Sequence, residues 1–155
     1  MAQAARAAAQ APSIELGDFQ LSVHRRQFPD AHDRWDGNWL CVTARCAQDG
    51  AIVAAAGPIL EAVDLERFRD ELASLSTGGR REAILRGAEP NLVVGVTAPD
   101  GLGHVQVKVE LTPEPRSQGH WFTFPVDPSY VVETIRQLDA VLALFPVRGR
   151  PPAAE

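Results

Sequence analysis

Hydrophobic and polar residues alternate along several short segments of the chain, most clearly at 104–111. There Val105, Val107, Val109 and Leu111 are separated by single polar residues, which predicts a strand with one buried and one solvated face. Similar patterns predict strands at 14–16, 19–23, 39–46, 51–56, 82–86, 91–97 and 121–126. A solvated face is typical of antiparallel sheets, so we expect a mainly antiparallel arrangement of about seven to eight strands.

Turn residues mark where some of these strands end. Asp49-Gly50 predicts a hairpin turn between 39–46 and 51–56, because this pair tolerates positive φ. Pro58 predicts the end of the second arm of that hairpin. Whether 14–16 and 19–23 form a hairpin or one bent strand stays open.

Two further segments carry apolar residues at three- and four-residue steps, which predicts amphipathic helices at about 64–77 and 128–145. Asp64 is the predicted cap of the first helix, and Gly78-Gly79 predicts its end. Asp127 is the predicted cap of the second, with Pro128 at its first position. The order of strands, helix, strands, helix lacks βαβ alternation, so the predicted fold class is α+β.

The length of 155 residues is the usual size of one domain, and we predict a single α+β domain at 13–147. Residues 1–12 lack the continuous apolar stretch of a signal peptide and are predicted to be a flexible leader, and 148–155 a flexible tail. Without a run of about 18 apolar residues, no membrane partner is expected and the predicted compartment is cytoplasmic.

The net charge of −5 is spread along the chain without a basic block. Proteins that bind nucleic acids usually concentrate Lys and Arg on one face or in a tail, so no nucleic-acid partner is expected. Cys41 and Cys46 lie five residues apart in one predicted strand, which places their side chains on opposite faces. We therefore expect two free thiols in a reducing compartment.

Residues with catalytic or metal-binding chemistry do not form a recognisable motif. The four histidines lack partners at metal-site spacing, and no Gly-x-Ser-x-Gly sequence is present. Gly-Leu-Gly at 101–103 precedes a strand rather than a helix, which indicates a turn rather than a phosphate-binding loop. We expect no metal, no cofactor and no catalytic residue, so the protein is predicted to act by binding and not as an enzyme.

Two stretches are candidate partner-binding surfaces. The first, at 33–40, contains Trp35, Asp36, Asn38 and Trp39, and tryptophan is enriched among residues that dominate binding energy. Alternatively, its polar residues set a turn and a tryptophan seals a sheet edge. The second is the polar face of the predicted sheet, for which a merely solvated surface is the alternative. Its candidate residues are His104, Gln106, Lys108, Glu110 and Trp121.

The sequence W-D-G-N-W-L at 35–40, followed by L-x-x-F-x-x-x-L-x-x-L from Leu65, resembles the WapI-type bacterial immunity proteins. Further resemblance lies in Glu89-Pro90, in Gly-His-Val-x-Val from Gly103 and in the helix entry at 127–130, so it spans about 13–146. This family neutralises the toxic carboxyl-terminal domains of contact-dependent inhibition toxins. The resemblance implies a cognate toxin domain as partner and carries over no active site.

The leading interpretation is a non-catalytic cytoplasmic binding protein that serves as an immunity protein against a bacterial toxin domain. Two alternatives stay open. One is a homo-oligomeric structural or regulatory module, with a homodimer as its simplest form. The other is a small-ligand-binding domain with a pocket between the helices and the sheet.

Overall fold

The structure, a computed structural model, describes residues 13–101 and 103–151 and contains the same succession of elements twice. Four antiparallel strands are followed by a helix in each half. The elements of the first half are β1 (Ser13–Leu16), β2 (Phe19–Arg26), β3 (Trp39–Gln48), β4 (Ala51–Glu61) and α1 (Ala62–Ser76). Those of the second half are β5 (Glu82–Arg86), β6 (Leu92–Thr97), β7 (Val105–Leu111), β8 (Trp121–Val126) and α2 (Pro128–Leu144).

The predicted α+β fold class and antiparallel pairing are confirmed, and the strands form two separate sheets of four. The first two predicted strands are a hairpin, since β1 pairs with β2 from Leu16 opposite Phe19. The predicted leader, 1–12, lies outside the described residues, as does the end of the predicted tail, 152–155.

Each sheet is a meander in which every strand pairs with its neighbours in sequence. One face of each sheet is buried because apolar residues alternate along the strands. Leu21 and Val42 of the first sheet and Val94 and Val107 of the second are almost completely inaccessible to solvent. Strand β7 lies against β3 and β4, so the inner faces of both sheets contribute to one core.

Each helix packs against the first strand of the other half. Helix α1 contacts β5, where a carboxylate oxygen of Glu71 accepts a hydrogen bond from the backbone N–H of Ile84 at 2.7 Å. Helix α2 contacts β1 at Glu15. The side-chain oxygen of Gln137 accepts a hydrogen bond from the backbone N–H of Glu15 at 2.7 Å, and the Thr134 hydroxyl donates to the backbone carbonyl of Glu15 at 3.0 Å. Strands β1 and β5 are edge strands, so these side chains occupy backbone groups that an edge leaves unpaired.

The prediction that Pro58 ends its strand is wrong, because β4 continues to Glu61. The register between β3 and β4 shifts between Leu40 and Val42, which is a β-bulge. Strand β4 is the last strand of its sheet. A proline is tolerated at such an edge because its missing N–H leaves no ladder bond unmade.

The longer strand moves the start of α1 to Ala62, so the prediction that Asp64 caps this helix is also wrong. Asp64 lies in the first turn instead, and its carboxylate accepts a hydrogen bond from the backbone N–H of Glu61 at 2.8 Å. The cap of α2 is confirmed, since Asp127 accepts the N–H of Ser129 at 2.9 Å and Pro128 begins the helix.

The end of α1 is also as predicted. Gly78 has a φ of +81°, and its N–H donates to the carbonyl of Leu75 at 3.1 Å. The N–H of Gly79 donates to Ser74 at 2.8 Å, which completes the hydrogen-bond pattern of a Schellman motif. Glycine is needed at 78 because side-chain residues rarely adopt this φ.

Candidate binding surface

The loop between β2 and β3, residues 27–38, is shaped by hydrogen bonds within it and by a close backbone approach at Gly37. One carboxylate oxygen of Asp33 accepts the N–H groups of Trp35 at 2.7 Å and Asp36 at 2.8 Å, and these bonds lower the pKa of Asp33. A Cβ at Gly37 would lie 2.4 Å from the carbonyl oxygen of Asp33 and 2.8 Å from that of Ala31. Only glycine therefore fits at position 37 of this loop.

Asn38, a predicted contact residue, is completely buried and its side chain is used within the molecule. Its Nδ2 donates to the carbonyls of Arg34 at 3.1 Å and Arg148 at 3.0 Å. Its Oδ1 accepts the N–H of Arg148 at 2.8 Å. We leave Asn38 out of the candidate surface, because it holds the loop to residues 146–150, which we call the carboxyl-terminal strap.

Two arginines strengthen this attachment. The guanidinium of Arg148, the first residue of the predicted flexible tail, donates to the carbonyls of Pro29 at 2.7 Å and Ala31 at 2.8 Å. The guanidinium of Arg26, which is buried, donates to the carbonyls of Gly37 at 2.7 Å and Pro146. The loop is therefore tied to the strap through both its ends.

Trp35 projects from this loop with 73% of its surface exposed, so it does not seal a sheet edge. The guanidinium of Arg34 lies 5.4 Å from the centre of its ring, within cation–π distance. Trp39 is half-buried at the start of β3, opposite Glu61 of β4. Asp36 is exposed beside Trp35.

Trp35 forms one wall of a groove of about 490 Å³, which we call the Trp35 groove. Its charged residues are Arg34, Glu61, Asp64, Arg67 and Arg86. Burial raises the pKa values of both carboxyl groups, and each of them is close enough to Arg67 for its charge to oppose that rise. The groove thus combines an aromatic ring with charges of both signs.

The second candidate surface is the outer face of the β5–β8 sheet, which we call the sheet face. The strand register arranges its side chains in three rows that run across the sheet, each with one residue from every strand. The rows are Glu82, Thr97, Gln106 and Pro125; then Ile84, Gly95, Lys108 and Thr123; then Arg86, Val93, Glu110 and Trp121. The predicted residues Gln106, Lys108, Glu110 and Trp121 therefore share this face.

Trp121 is 67% exposed at the edge of the sheet face. The ammonium group of Lys108 lies 5.9 Å from the centre of the Trp121 ring and 3.4 Å from a carboxylate oxygen of Glu110. A hollow of about 340 Å³ opens beside them over the middle of the sheet, and Gly95 lies in its lining.

Gln106, Lys108 and Glu110 line the hollow, whereas His104 lies outside it. His104 precedes β7, and its Nδ1 lies 2.5 Å from a carboxylate oxygen of Asp100, which lowers the pKa of Asp100. The alternation along 104–111 predicted that His104 is the first outward residue of this strand, but β7 begins at Val105. The His104 side chain therefore contacts Asp100 of the preceding turn and is not part of the sheet face.

Arg86 joins the two candidate surfaces, because it lines both the Trp35 groove and the hollow of the sheet face. Sequence reasoning did not single out Arg86 or Gly95. The alternation in 82–86 places Arg86 outward, but the position of β5 beside the 27–38 loop depends on tertiary structure. The two surfaces form one continuous area with Trp35 at one end and Trp121 at the other.

The described residues thus define an α+β protein with two antiparallel sheets and an exposed, tryptophan-flanked surface of mixed charge. No three His, Cys, Asp or Glu side chains within 13–101 and 103–151 are placed to hold a metal ion. In the described part of the chain, neither helix is long and apolar enough to cross a membrane.

The model of the immunity protein WapI-like family matches residues 12–146. The chain belongs to this family, as the resemblance around 35–40 predicted. Comparison with curated proteins gave no match.

Solved structures give weaker similarities. The Trypanosoma bruciei MRP1/MRP2 structure is 17% identical, with a TM-score of 0.49 over 92% of this chain and 91% of the other. WHY3 from Arabidopsis thaliana is 14% identical, with a TM-score of 0.43 over 87% of each chain. The plant transcriptional regulator PBF-2 is 14% identical, with a TM-score of 0.44 over 87% of this chain and 81% of the other.

Proposed function

We propose that this protein is a non-catalytic immunity protein that binds and neutralises a cognate bacterial toxin domain in the cytoplasm. Family membership supports the role. The proposed contact area comprises the Trp35 groove with the neighbouring residues Asp36 and Trp39, and the sheet face with Gln106, Lys108, Glu110 and Trp121. Arg86, which the structure adds, lines both surfaces.

The observation that carries this proposal is the exposure of two tryptophans, Trp35 at 73% and Trp121 at 67%. A large aromatic side chain is normally buried to a high degree, and an exposed one in a polar surrounding often marks a contact site. Tryptophan is also enriched among the residues that dominate binding energy. Arg86, from a residue type with the same enrichment, lies between them.

The net charge of −5 favours a basic partner, because complementary charge accelerates encounter. The free thiols of Cys41 and Cys46 are compatible with a reducing compartment such as the cytoplasm. Neutralisation by binding requires immunity protein in an amount comparable to that of the toxin domain. Complete inhibition at a small fraction of one equivalent would refute a non-catalytic role.

The test is a Trp35→Ala substitution, with the toxin domain encoded beside the gene as the ligand. We expect affinity to fall at least about 30-fold, the loss typical of a dominant interface residue. Stability should change by no more than about 0.5 kcal/mol, because the ring is exposed and few contacts are lost. Isothermal titration calorimetry and chemical denaturation measure the two effects separately.

Ile52→Ala is the matched control, since Ile52 is 64% exposed on the first sheet. It should bind the toxin domain like the wild type. An equal loss of affinity in both variants would refute the assignment of the surface, and absence of binding by the wild type would refute the proposed function. Sedimentation of the free protein tests the homodimer alternative, which a strictly monomeric profile would exclude.

A further inference from the structure

Gly95 occupies a position where the fold has no need of glycine. It lies in the middle of β6, an inner strand with neighbours on both sides. Glycine in a strand interior lowers stability, because it loses more backbone freedom on folding and offers no side chain for packing. A residue with a Cβ would therefore be expected here.

Neither backbone conformation nor crowding accounts for Gly95. Its φ is not in the positive range that favours glycine, in contrast to Gly17 and Gly78. A Cβ built at Gly95 has no atom within 4 Å, whereas one at Gly37 would clash with two carbonyl oxygens. Interior glycine in a strand often marks a place where a ligand or another chain approaches closely.

The missing side chain creates the hollow in the sheet face. Gly95 lies between Ile84 and Lys108 in the middle row, and the hollow above it has a volume of about 340 Å³. Because β6 is paired on both sides, its backbone N–H and C=O groups are used in the sheet. Ile84 and Val93 supply apolar side chains beside Gly95, so a polar group inserted at the centre of the hollow would lose hydration that the floor does not replace.

The rim of the hollow carries two acidic and two basic residues, Glu82, Glu110, Arg86 and Lys108. These formal charges cancel, so the rim does not attract a polyanion as a basic patch does. Charges of both signs around an apolar centre match the polar rim and apolar core of a protein interface. The chemistry of the site therefore favours a protein side chain as its occupant.

We propose that the Gly95 hollow is the anchor pocket for an apolar side chain of the toxin domain. This inference rests on the proposed function and specifies which part of the surface makes the central contact. The apolar side chain occupies the space above Gly95, and polar groups beside it on the toxin domain pair with Arg86 and Glu82. Lys108 of β7 and Thr123 of β8 border the hollow on its other side, and the Trp121 ring lies next to Lys108.

The test is the series Gly95→Ala and Gly95→Val, measured for thermal stability and for affinity to the toxin domain. Both variants should melt at higher temperature than the wild type, by about 2 °C for valine, because a strand-forming side chain replaces glycine in open space. Affinity should fall in the order glycine, alanine, valine, by at least about 30-fold for valine, as the pocket fills.

Ala56→Val is the matched control, since Ala56 is exposed and lies in β4 on the outer face of the other sheet, opposite Thr43. It adds bulk to a strand without entering the sheet face and should bind the toxin domain normally. Normal binding by Gly95→Val would overturn the anchor pocket and leave the proposed function intact. A lower melting temperature for Gly95→Val would refute the premise that the fold does not need this glycine. Absence of binding by the wild type would overturn both proposals.

Discussion

Replacing Asn38 with Ala is expected to destabilise the protein, because its buried side chain connects two distant segments. The substitution removes three hydrogen bonds, two donated to the carbonyls of Arg34 and Arg148 and one accepted from the N–H of Arg148. A buried polar group left without a partner costs about 1–3 kcal/mol. Because Arg148 lies near the surface and water can reach groups that separate, we expect a total loss of about 2–4 kcal/mol rather than the full sum.

Urea denaturation followed by circular dichroism measures this loss as a lower midpoint with an unchanged slope. A thermal melt should show a decrease of roughly 5–15 °C for a chain of this size. Toxin affinity should decrease as well, because the loop that carries Trp35 loses its attachment to the strap and must be ordered on binding.

Two further variants test whether hydrogen bonding is the cause. Asn38→Asp keeps the oxygen that accepts from Arg148 but directs a second oxygen at two carbonyls, so it should be at least as destabilising as alanine. Arg148→Ala retains the backbone bonds to Asn38 and loses the bonds to Pro29 and Ala31, so its effect should be smaller. A loss below about 0.5 kcal/mol for Asn38→Ala, or wild-type stability for Asn38→Asp, would refute this reasoning.

Two other predictions concern titratable groups. Burial raises the pKa of Asp64 above its usual value of 3.8, so the folded protein holds this proton more tightly than the unfolded chain does. The free energy of unfolding therefore falls as pH rises and Asp64 becomes ionised. Asp64→Asn keeps an oxygen that accepts from the N–H of Glu61 but cannot ionise, so its stability relative to the wild type should increase from about pH 4 to about pH 7. A difference in unfolding free energy that stays constant over this range would contradict the prediction. Burial also raises the pKa of Cys46 to about 11, so at about pH 8 roughly one thiol in a thousand is ionised. A thiol reagent should modify half-buried Cys41 in the native protein and Cys46 only after unfolding, and rapid reaction of both would show that Cys46 is accessible.

Local features of the fold could be predicted from the sequence because their causes are local. The alternation in β7 and the Asp127-Pro128 start of α2 require only neighbouring residues, and both are found where expected. The extension of β4 through Pro58 could not be predicted, because it depends on its edge position and on a bulge in its pairing with β3. Periodicity indicates that a face is buried but not which element covers it, so the sequence did not predict that the strands form two sheets.

For the candidate surface too, the residues set by local patterns could be predicted, and those set by distant contacts could not. Outward positions such as Lys108 and Trp121 follow from alternation along one strand. The burial of Asn38 depends on Arg148, which is 110 residues away in sequence. The role of Arg86 depends on two surfaces meeting in space, and the hollow at Gly95 depends on its neighbours in β5 and β7.

The reciprocal packing of the helices makes the two halves of the chain depend on each other. A fragment that ends after α1 would keep four paired strands but would lack α2 against β1, and its own helix would lose β5 as a packing partner. The complementary fragment would be incomplete in the same way. We therefore propose that 13–147 folds as one cooperative unit, and that the two halves, produced as separate chains, give toxin resistance only by assembling with each other.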